Sequence, residues 1–352
     1  DSDGDLEIAV GGYSGVSSTN PLFVINHDGT DVAGFPYVVG EKIKAGAAVS
    51  DMDGNGIDDI IFGTDSDNLH VILDSGVSAP NFPVSLSDRI QSEPAVLDIG
   101  GEKVILTGCK DNNFYAINYT DGTLRFLIPT GDDVFTSPSF NGEYIYFGSD
   151  DGHMYAVDYN GNLADGYPLL LGEGEAVIGS IVFSDLNGDG SVSKVVGTSG
   201  GNIYAFNDNN ELLQYFPVEY QYPVASSPIV VDFDFDGDMD ILSGTNGDLI
   251  IIDVKYQNGN FSDYWSLFKG NNHRAGEYIA SGGNNWDCGS PESGDINCDA
   301  IINILDIISV LNMVIDGFDG FTEYELWSAD VNQDDIINIL DIVAIVNIVI
   351  EE

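Results

Sequence analysis

The chain has 352 residues, with 58 Asp and Glu against 10 Lys and Arg and a formal charge of −48 at pH 7, an imbalance that excludes nucleic acid and anionic membrane surfaces as partners. With 43% hydrophobic residues it has ample material for a core, and 42 Gly, 12 Pro and many aromatics favour a turn-rich β protein of two or three domains. No stretch reaches the roughly 18 apolar residues of a membrane span and no cationic, apolar leader opens the sequence; beginning at Asp1, the chain reads as a processed or partial one.

From the N-terminus, residues 1–283 repeat. A strand ending in glycine recurs at Gly11, Gly63, Gly108, Gly148, Gly197 and Gly244. Between these glycines lie alternating strands: PLFVIN from Pro21, NLHVIL from Asn68, NFYAIN from Asn113, HMYAVD from His153, NIYAFN from Asn202 and DLIIID from Asp248. An opening strand precedes each glycine-terminated one, as AGAAVSD from Ala45, SEPAVLD from Ser92, TSPSF from Thr136, IGSIVFSD from Ile178 and SSPIVVD from Ser226. Short β-rich runs closed by Gly, Asn and Asp turns read as strands, and the repeat length is that of a propeller blade. Six blades are visible and the first lacks its opening strand. Either upstream sequence supplies it, which the fragment Asp1 to Glu7 favours by matching the later part of the Asp232 loop, or the segment around Trp265 closes the ring. The blade number stays open between six and eight.

Acidic turns follow several opening strands. Asp51, Asp53, Asn55 and Asp59 occupy positions 1, 3, 5 and 9 of one turn. Asp185, Asn187, Asp189, Ser191 and Ser193 form a second, and Asp232, Asp234, Asp236, Asp238 and Asp240 a third. Asp1, Asp3, Asp5 and Glu7 form a shortened copy. Two carboxylates about 4 Å apart repel by about 4 kcal/mol at an effective dielectric near 20, so such loops call for a cation. The plain alternative is an Asp/Gly turn with solvated side chains. Blades three and four carry simple turns at Asp98 and Asn141.

The repeat from Ser226 to Asp253 resembles FG-GAP and VCBS-type propellers, while the Tyr/Ala strands of blades three to five resemble quinoprotein-like propellers. YWSLFKGNNHRAG, from Tyr264, is similar to the tail that often follows the last blade in such proteins. The resemblance implies architecture rather than activity.

Residues 284–293 form a Gly/Asn/Ser/Pro linker, and residues 294–352 a second domain. DINCDAIINILDIISVLNMVI from Asp295 matches DVNQDDIINILDIVAIVNIVI from Asp330. The apolar residues Ile304, Ile307, Ile308, Leu311, Val314 and Ile315 follow helical spacing, as do Ile339, Ile342, Val343, Val346, Val349 and Ile350. Oxygen side chains at loop positions 1, 3, 5, 9 and 12 are Asp295, Asn297, Asp299, Asn303 and Asp306, then Asp330, Asn332, Asp334, Asn338 and Asp341; the carbonyls of Ile301 and Ile336 complete six-oxygen calcium loops.

This pair resembles the type I dockerin domain, which folds on calcium and docks onto cohesin modules. The resemblance places partner-facing residues at loop positions 10 and 11, Ile304 and Leu305 in one repeat and Ile339 and Leu340 in the other; of these Ile304 and Ile339 read as core, which leaves Leu305, Asn312, Leu340 and Asn347 as partner contacts, with Leu305 and Leu340 reading equally well as core. The sequence departs from the family in carrying Ile-Leu pairs, no Lys or Arg after Arg274, and Ala300 and Asp335 where glycine is expected. Near-identity of the repeats permits docking in two orientations related by about 180°.

Signals for catalysis are weak. No GxSxG elbow surrounds a Ser, and His70 and His153 lie in strands, where packing is the commoner role. Trp residues are too few for a quinone-dependent dehydrogenase, and the abundance of acids hides any glycosidase pair. Cys109, after an apolar run, reads as a buried thiol; Cys288 and Cys298 either form a disulfide or remain thiols. The sequence thus predicts a secreted or surface-attached calcium-binding propeller, with carbohydrate or a protein as ligand, tethered by a dockerin-like module to a cohesin-bearing scaffold. The alternatives are a propeller glycoside hydrolase or polysaccharide lyase, and a C-terminal module used only for sorting or attachment.

Overall fold

The structure is a computed structural model that describes residues 6–13, 20–234, 236–245, 247–257, 259–261, 264–270, 275–279, 294, 296, 302, 304–316, 326, 328–332 and 336–351. The chain divides into two compact units, Asp1–Gly283 and Asn284–Glu352.

Among the described residues, the first unit holds six small sheets, each built on an antiparallel blade and following one another in chain order. Blade 1 has β1 (Ile8–Gly11), β2 (Pro21–Ile25) and β3 (Tyr37–Val38). Blade 2 has β4 (Ala48–Ser50), β5 (Asp59–Gly63), β6 (Asn68–Ile72) and β7 (Val84–Ser85). Blade 3 has β8 (Ala95–Ile99), β9 (Glu102–Cys109), β10 (Asn113–Asn118) and β11 (Leu124–Pro129). Blade 4 has β12 (Ser139–Phe140), β13 (Ile145–Gly148), β14 (His153–Val157) and β15 (Leu169–Leu170). Blade 5 has β16 (Val182–Ser184), β17 (Ser193–Gly197), β18 (Asn202–Phe206) and β19 (Val218–Glu219), and blade 6 has β20 (Ile229–Val231), β21 (Asp238–Gly244) and β22 (Leu249–Gln257).

Middle strands of blades 2 to 5 are buried on both faces because these sheets are sandwiched between neighbours; β5 is buried at all five residues. This is why they read as continuous apolar runs rather than as alternation. Leu22 and Val24 of blade 1 pack on Ile60 and Phe62 of blade 2, and Leu69 and Val71 of blade 2 pack near Ile105 and Tyr115 of blade 3. The repeated glycine has a steric cause. A Cβ at Gly11, Gly63, Gly108, Gly148 or Gly197 would overlap Ile43, Ile90, Val134, Val177 or Val224, the β-branched residue of the connector leading to the next blade. The aromatic–proline pairs that enter the short outer strands, at Phe35, Phe82, Tyr167 and Phe216, are cis. Blade 3 lacks this pair and has a longer outer strand instead.

The segment around Trp265 does not supply blade 1 with its missing strand. It runs along the inner strands of the other blades. Asp185 pairs with Asn260, the amide of Phe183 donates to the Trp265 carbonyl at 2.9 Å, and that of Val230 to Ser266 at 2.9 Å. The amides of Val49 and Val96 donate to Ala275 and Gly276, and β23 (Glu277–Ile279) joins β8 in parallel. Trp265 is buried against Phe140 of blade 4, which also stacks on Tyr278 at 4.8 Å. A segment that touches the inner strands of blades 2 to 6 occupies the axis.

In the second unit, α1 (Ile304–Asp316) and α2 (Ile339–Glu351) pack together over Ile296, Val310, Met313, Ala329 and Ile345. The helices are rotated from the expected faces. Ile339, expected in the core, is 66% exposed, and Leu311, Val314 and Val343 are exposed while Val310, Met313 and Ile345 are buried. These helices are apolar nearly all round, so periodicity does not fix their rotation. The polar Asp306 and Asp341 do: each is fully buried, and its carboxylate is turned into the preceding loop.

Candidate metal centres

The inner strands β4, β16 and β20 each end in a loop that returns through the next strand. In blade 2, both oxygens of Asp51 accept loop amides, from Gly54 at 2.7 Å, Asn55 at 3.0 Å and Gly56 at 2.8 Å. Asp59, fully buried at the start of β5, accepts from Met52 at 3.0 Å and from Asp74 at 2.9 Å. Burial nonetheless raises its carboxyl to about 6. Asp51, Asp53 and Asp59 converge, with one ligand oxygen each within 4.8 Å of the others. Two oxygens on one calcium ion, each at about 2.4 Å, are at most about 4.8 Å apart, so the donor set fits that cation.

Blade 6 repeats the arrangement with Asp232, Asp234 and Asp240. Asp232 accepts from Asp236 at 3.2 Å and Gly237 at 3.1 Å, and Asp240 accepts from Phe233 at 2.9 Å, as Asp59 does from Met52. Asp236 and Asp238 are held elsewhere: Lys255 Nζ lies 3.1 Å from Asp236 and 3.5 Å from Asp238. Hydrogen bonds to Asp253 and Asp236 push the lysine pKa up.

Blade 5 departs at position nine. Asp185 accepts from Asp189 at 3.1 Å and Gly190 at 2.8 Å, as its counterparts do, but Ser193 replaces the buried carboxylate. The Ser193 hydroxyl and the Asn187 side-chain oxygen are buried without a hydrogen-bond partner, so two oxygens remain open to a cation. Lys194 follows on the strand, buried and pushed down to about 8 by burial, with its ammonium donating to the Asp208 carbonyl at 2.9 Å. Of the shortened first loop, Asp1, Asp3 and Asp5 lie outside the described residues; Glu7 is half-buried.

In the second unit, Asp306 accepts the amide of Ile296 at 2.8 Å. Asp341 accepts from Asn332 at 3.2 Å and Asn338 at 2.8 Å, and Asn338 caps α2 by accepting from Leu340 at 2.9 Å. Asn338 and Asp341 together satisfy two amides of the first turn, so the acid at position 12 also helps to start the helix. The Ile336 carbonyl accepts from the Asn338 side chain at 2.7 Å. Asp330 and Asn332 are in the same loop. Asp295, Asn297, Asp299, Ile301, Asn303 and Asp334, the side chains of Leu305 and Asn312, and Cys288 and Cys298 lie outside the described residues. Leu340 and Asn347 are exposed.

Sequence reasoning missed a clamp between blades. Glu41 accepts from Thr64 at 2.6 Å and Asn68 at 2.9 Å; Glu175 accepts from Thr198 at 2.6 Å and Asn202 at 2.9 Å. The signal was present as Gly-Thr followed by Asn on the next strand, with Glu on the preceding connector. His70 belongs to the first clamp, buried, stacked on Phe62 at 5.1 Å and 3.3 Å from Glu41, with its pKa lowered by burial. Cys109 is a buried free thiol, and burial raises its pKa to about 12. On the axis, Glu277 is held by Lys103 at 2.6 Å and Ser50 at 2.7 Å, and the Glu93 carboxylate faces Lys269 at 3.5 Å.

No family model matches the sequence, and no curated protein matches it. Solved structures do. Saccharomyces cerevisiae Sqt1 superposes with a TM-score of 0.55 at 12% identity, over 70% of this chain and 68% of Sqt1. BBS1N, crystallised in complex with ARL6DN, gives 0.51 at 14% identity, over 73% and 76%. Both are propeller folds. The first unit is a β-propeller. BamB from Moraxella catarrhalis gives 0.49 at 14% identity, and the chain spans 65% of its length. At these identities the likeness is one of fold. No helix among the described residues of either unit is long and apolar enough to cross a membrane.

Proposed function

We propose that the chain is a calcium-binding propeller of the FG-GAP/VCBS type, tethered through a type I dockerin-like module to a cohesin-bearing scaffold or cell surface outside the cell, in a polysaccharide-degrading setting. The observation that carries the tether is the apolar stripe beside the second loop. Ile336, Ile339, Leu340 and Val343 follow helical spacing and are all exposed, on a unit whose core is supplied by other residues. Such a face suits a largely hydrophobic docking contact, in keeping with a module that carries no Lys or Arg.

The propeller loops support calcium because their carboxylates converge on one point while backbone amides hold the first ligand in place. When bound, the ion supplies charge neutralisation and rigidity. Asp51 and Asp59, and likewise Asp232 and Asp240, position the oxygens; Asp185 and Asn187 would do so in blade 5 with a neutral ninth position. The axis is filled by the chain's own segment and its two glutamates face lysines, so ligand contacts fall to the rims and flanks of the propeller rather than to a central channel.

The test is binding to a panel of immobilised cohesin modules in the presence of calcium. Leu305→Arg together with Leu340→Arg abolishes binding, whereas either alone retains it because the other repeat still docks. Equal loss from one single change would count against docking in two orientations, and full binding by the double variant would remove these residues from the contact.

A further inference from the structure

The propeller is open on one side, and the same positions in all six blades show where. The residue paired with the repeated glycine is Leu22, Leu69, Phe114, Met154 or Ile203 in blades 1 to 5, and each is buried against the following blade. Its counterpart in blade 6, Leu249, is 66% exposed, and Ile251, two residues on, is 46% exposed where Val71 and Ala205 are buried. The opposite face of blade 1 is bare in the same way. Ile8 is 61% and Val10 47% exposed, whereas Ile60 and Phe62 at the same positions of blade 2 pack on blade 1.

Three features of the backbone agree. Among the described residues, β1 is an edge strand on its inner side, where β4, β8, β12, β16 and β20 stand in the other blades, and β22 has no outer strand. Gly244 also lacks the β-branched residue that covers its five counterparts; the nearest atom to a Cβ placed there is Ser226 Oγ at 3.4 Å.

We propose that this open side receives further propeller polypeptide of the same repeat. The occupant adds an outer strand to β22, places a β-branched side chain over Gly244 and lays an inner strand antiparallel along β1. Each requirement is met inside the molecule by one unit, residues 208–232, which carries β19, Val224 over Gly197, and β20. The interface is a continuation of the five existing blade contacts, and an unpaired edge flanked by apolar side chains takes up such a strand readily. This inference is independent of calcium and of docking.

The probe is a synthetic peptide with the sequence of residues 208–232, added to the full 352-residue chain and followed by hydrogen exchange. Exchange at Ile8–Gly11 and Leu249–Ile251 slows by roughly tenfold or more, the thermal midpoint rises, and a scrambled peptide does neither. A second protein carries the same unit fused ahead of Asp1; it shows that protection without peptide and no longer takes peptide up. Absence of protection in both the mixture and the fusion overturns the proposal. So does protection of these amides that grows with protein concentration alone and sediments as a dimer, since the occupant is then a second copy.

Discussion

The two units set similar acidic loops on different mechanical footing. In the propeller, the loop from Asp51 to Asp59 spans two strands that pair with each other and are packed by the neighbouring blades, and every oxygen of its first and ninth residues already accepts an amide. In the C-terminal unit, Asp306 and Asp341 tie loops to helices over a core of five fully buried apolar residues. A unit of about 70 residues with so small a core draws much of its stability from whatever fills its loops. On the calcium-binding reading proposed above, an ion would therefore tune the propeller but assemble the helical module.

The largest expected effect follows. Asp306→Ala with Asp341→Ala leaves the C-terminal helices unfolded even in excess calcium, while the sheet signal in circular dichroism persists. Retention of helix would erase the distinction between the two units. Next comes a difference within the propeller. At positions 1, 3 and 9 blade 5 offers two carboxylates fewer than blade 6, with Asp185, Asn187 and Ser193 against Asp232, Asp234 and Asp240, and its ninth residue is followed by the buried Lys194. Ser193→Asp should tighten calcium at that loop by roughly tenfold, about 1.4 kcal/mol, and Asp240→Ala should weaken the blade 6 loop by at least as much. Titration calorimetry on the two variants checks both.

The smallest effect is in pH. Burial raises Asp59 and Asp150 from 3.8 to about 6. The folded state then holds these protons more tightly than the unfolded one, so their contribution to metal-free stability is full below about pH 4 and falls as pH rises to about 6. Calcium requires Asp59 ionised and reverses the trend at blade 2. Asp150, in a blade without an acidic loop, keeps it. Thermal midpoints across this window, with EDTA and with calcium, separate the two; identical slopes in both would place Asp59 away from the ion.

Much of this was legible in the sequence because the repeated contacts are local. The acidic turn and the aromatic–proline step are short patterns that close on themselves, and the glycine is visible because it recurs in every blade, although the residue that covers it lies 26 to 32 positions further on. Position along the chain did not reveal that Trp265 lies on the axis, since its partners, Phe140, Phe183 and Tyr278, come from separate places in the chain. Nor did it reveal the exposure of Ile339 and Val343: in a helix that is apolar almost throughout, the buried side is chosen by Asp341, a polar residue. The Glu41 and Glu175 clamps escaped notice because each joins a connector to the following blade across more than 20 residues.

The central claim, that one ion chemistry assembles the helical unit and only tunes the propeller, is tested most directly by titrating calcium into the EDTA-treated chain under circular dichroism. The account predicts a helical signal that appears saturably with calcium over a sheet signal that is present from the start. A helical signal already complete in EDTA and unchanged by calcium would contradict it.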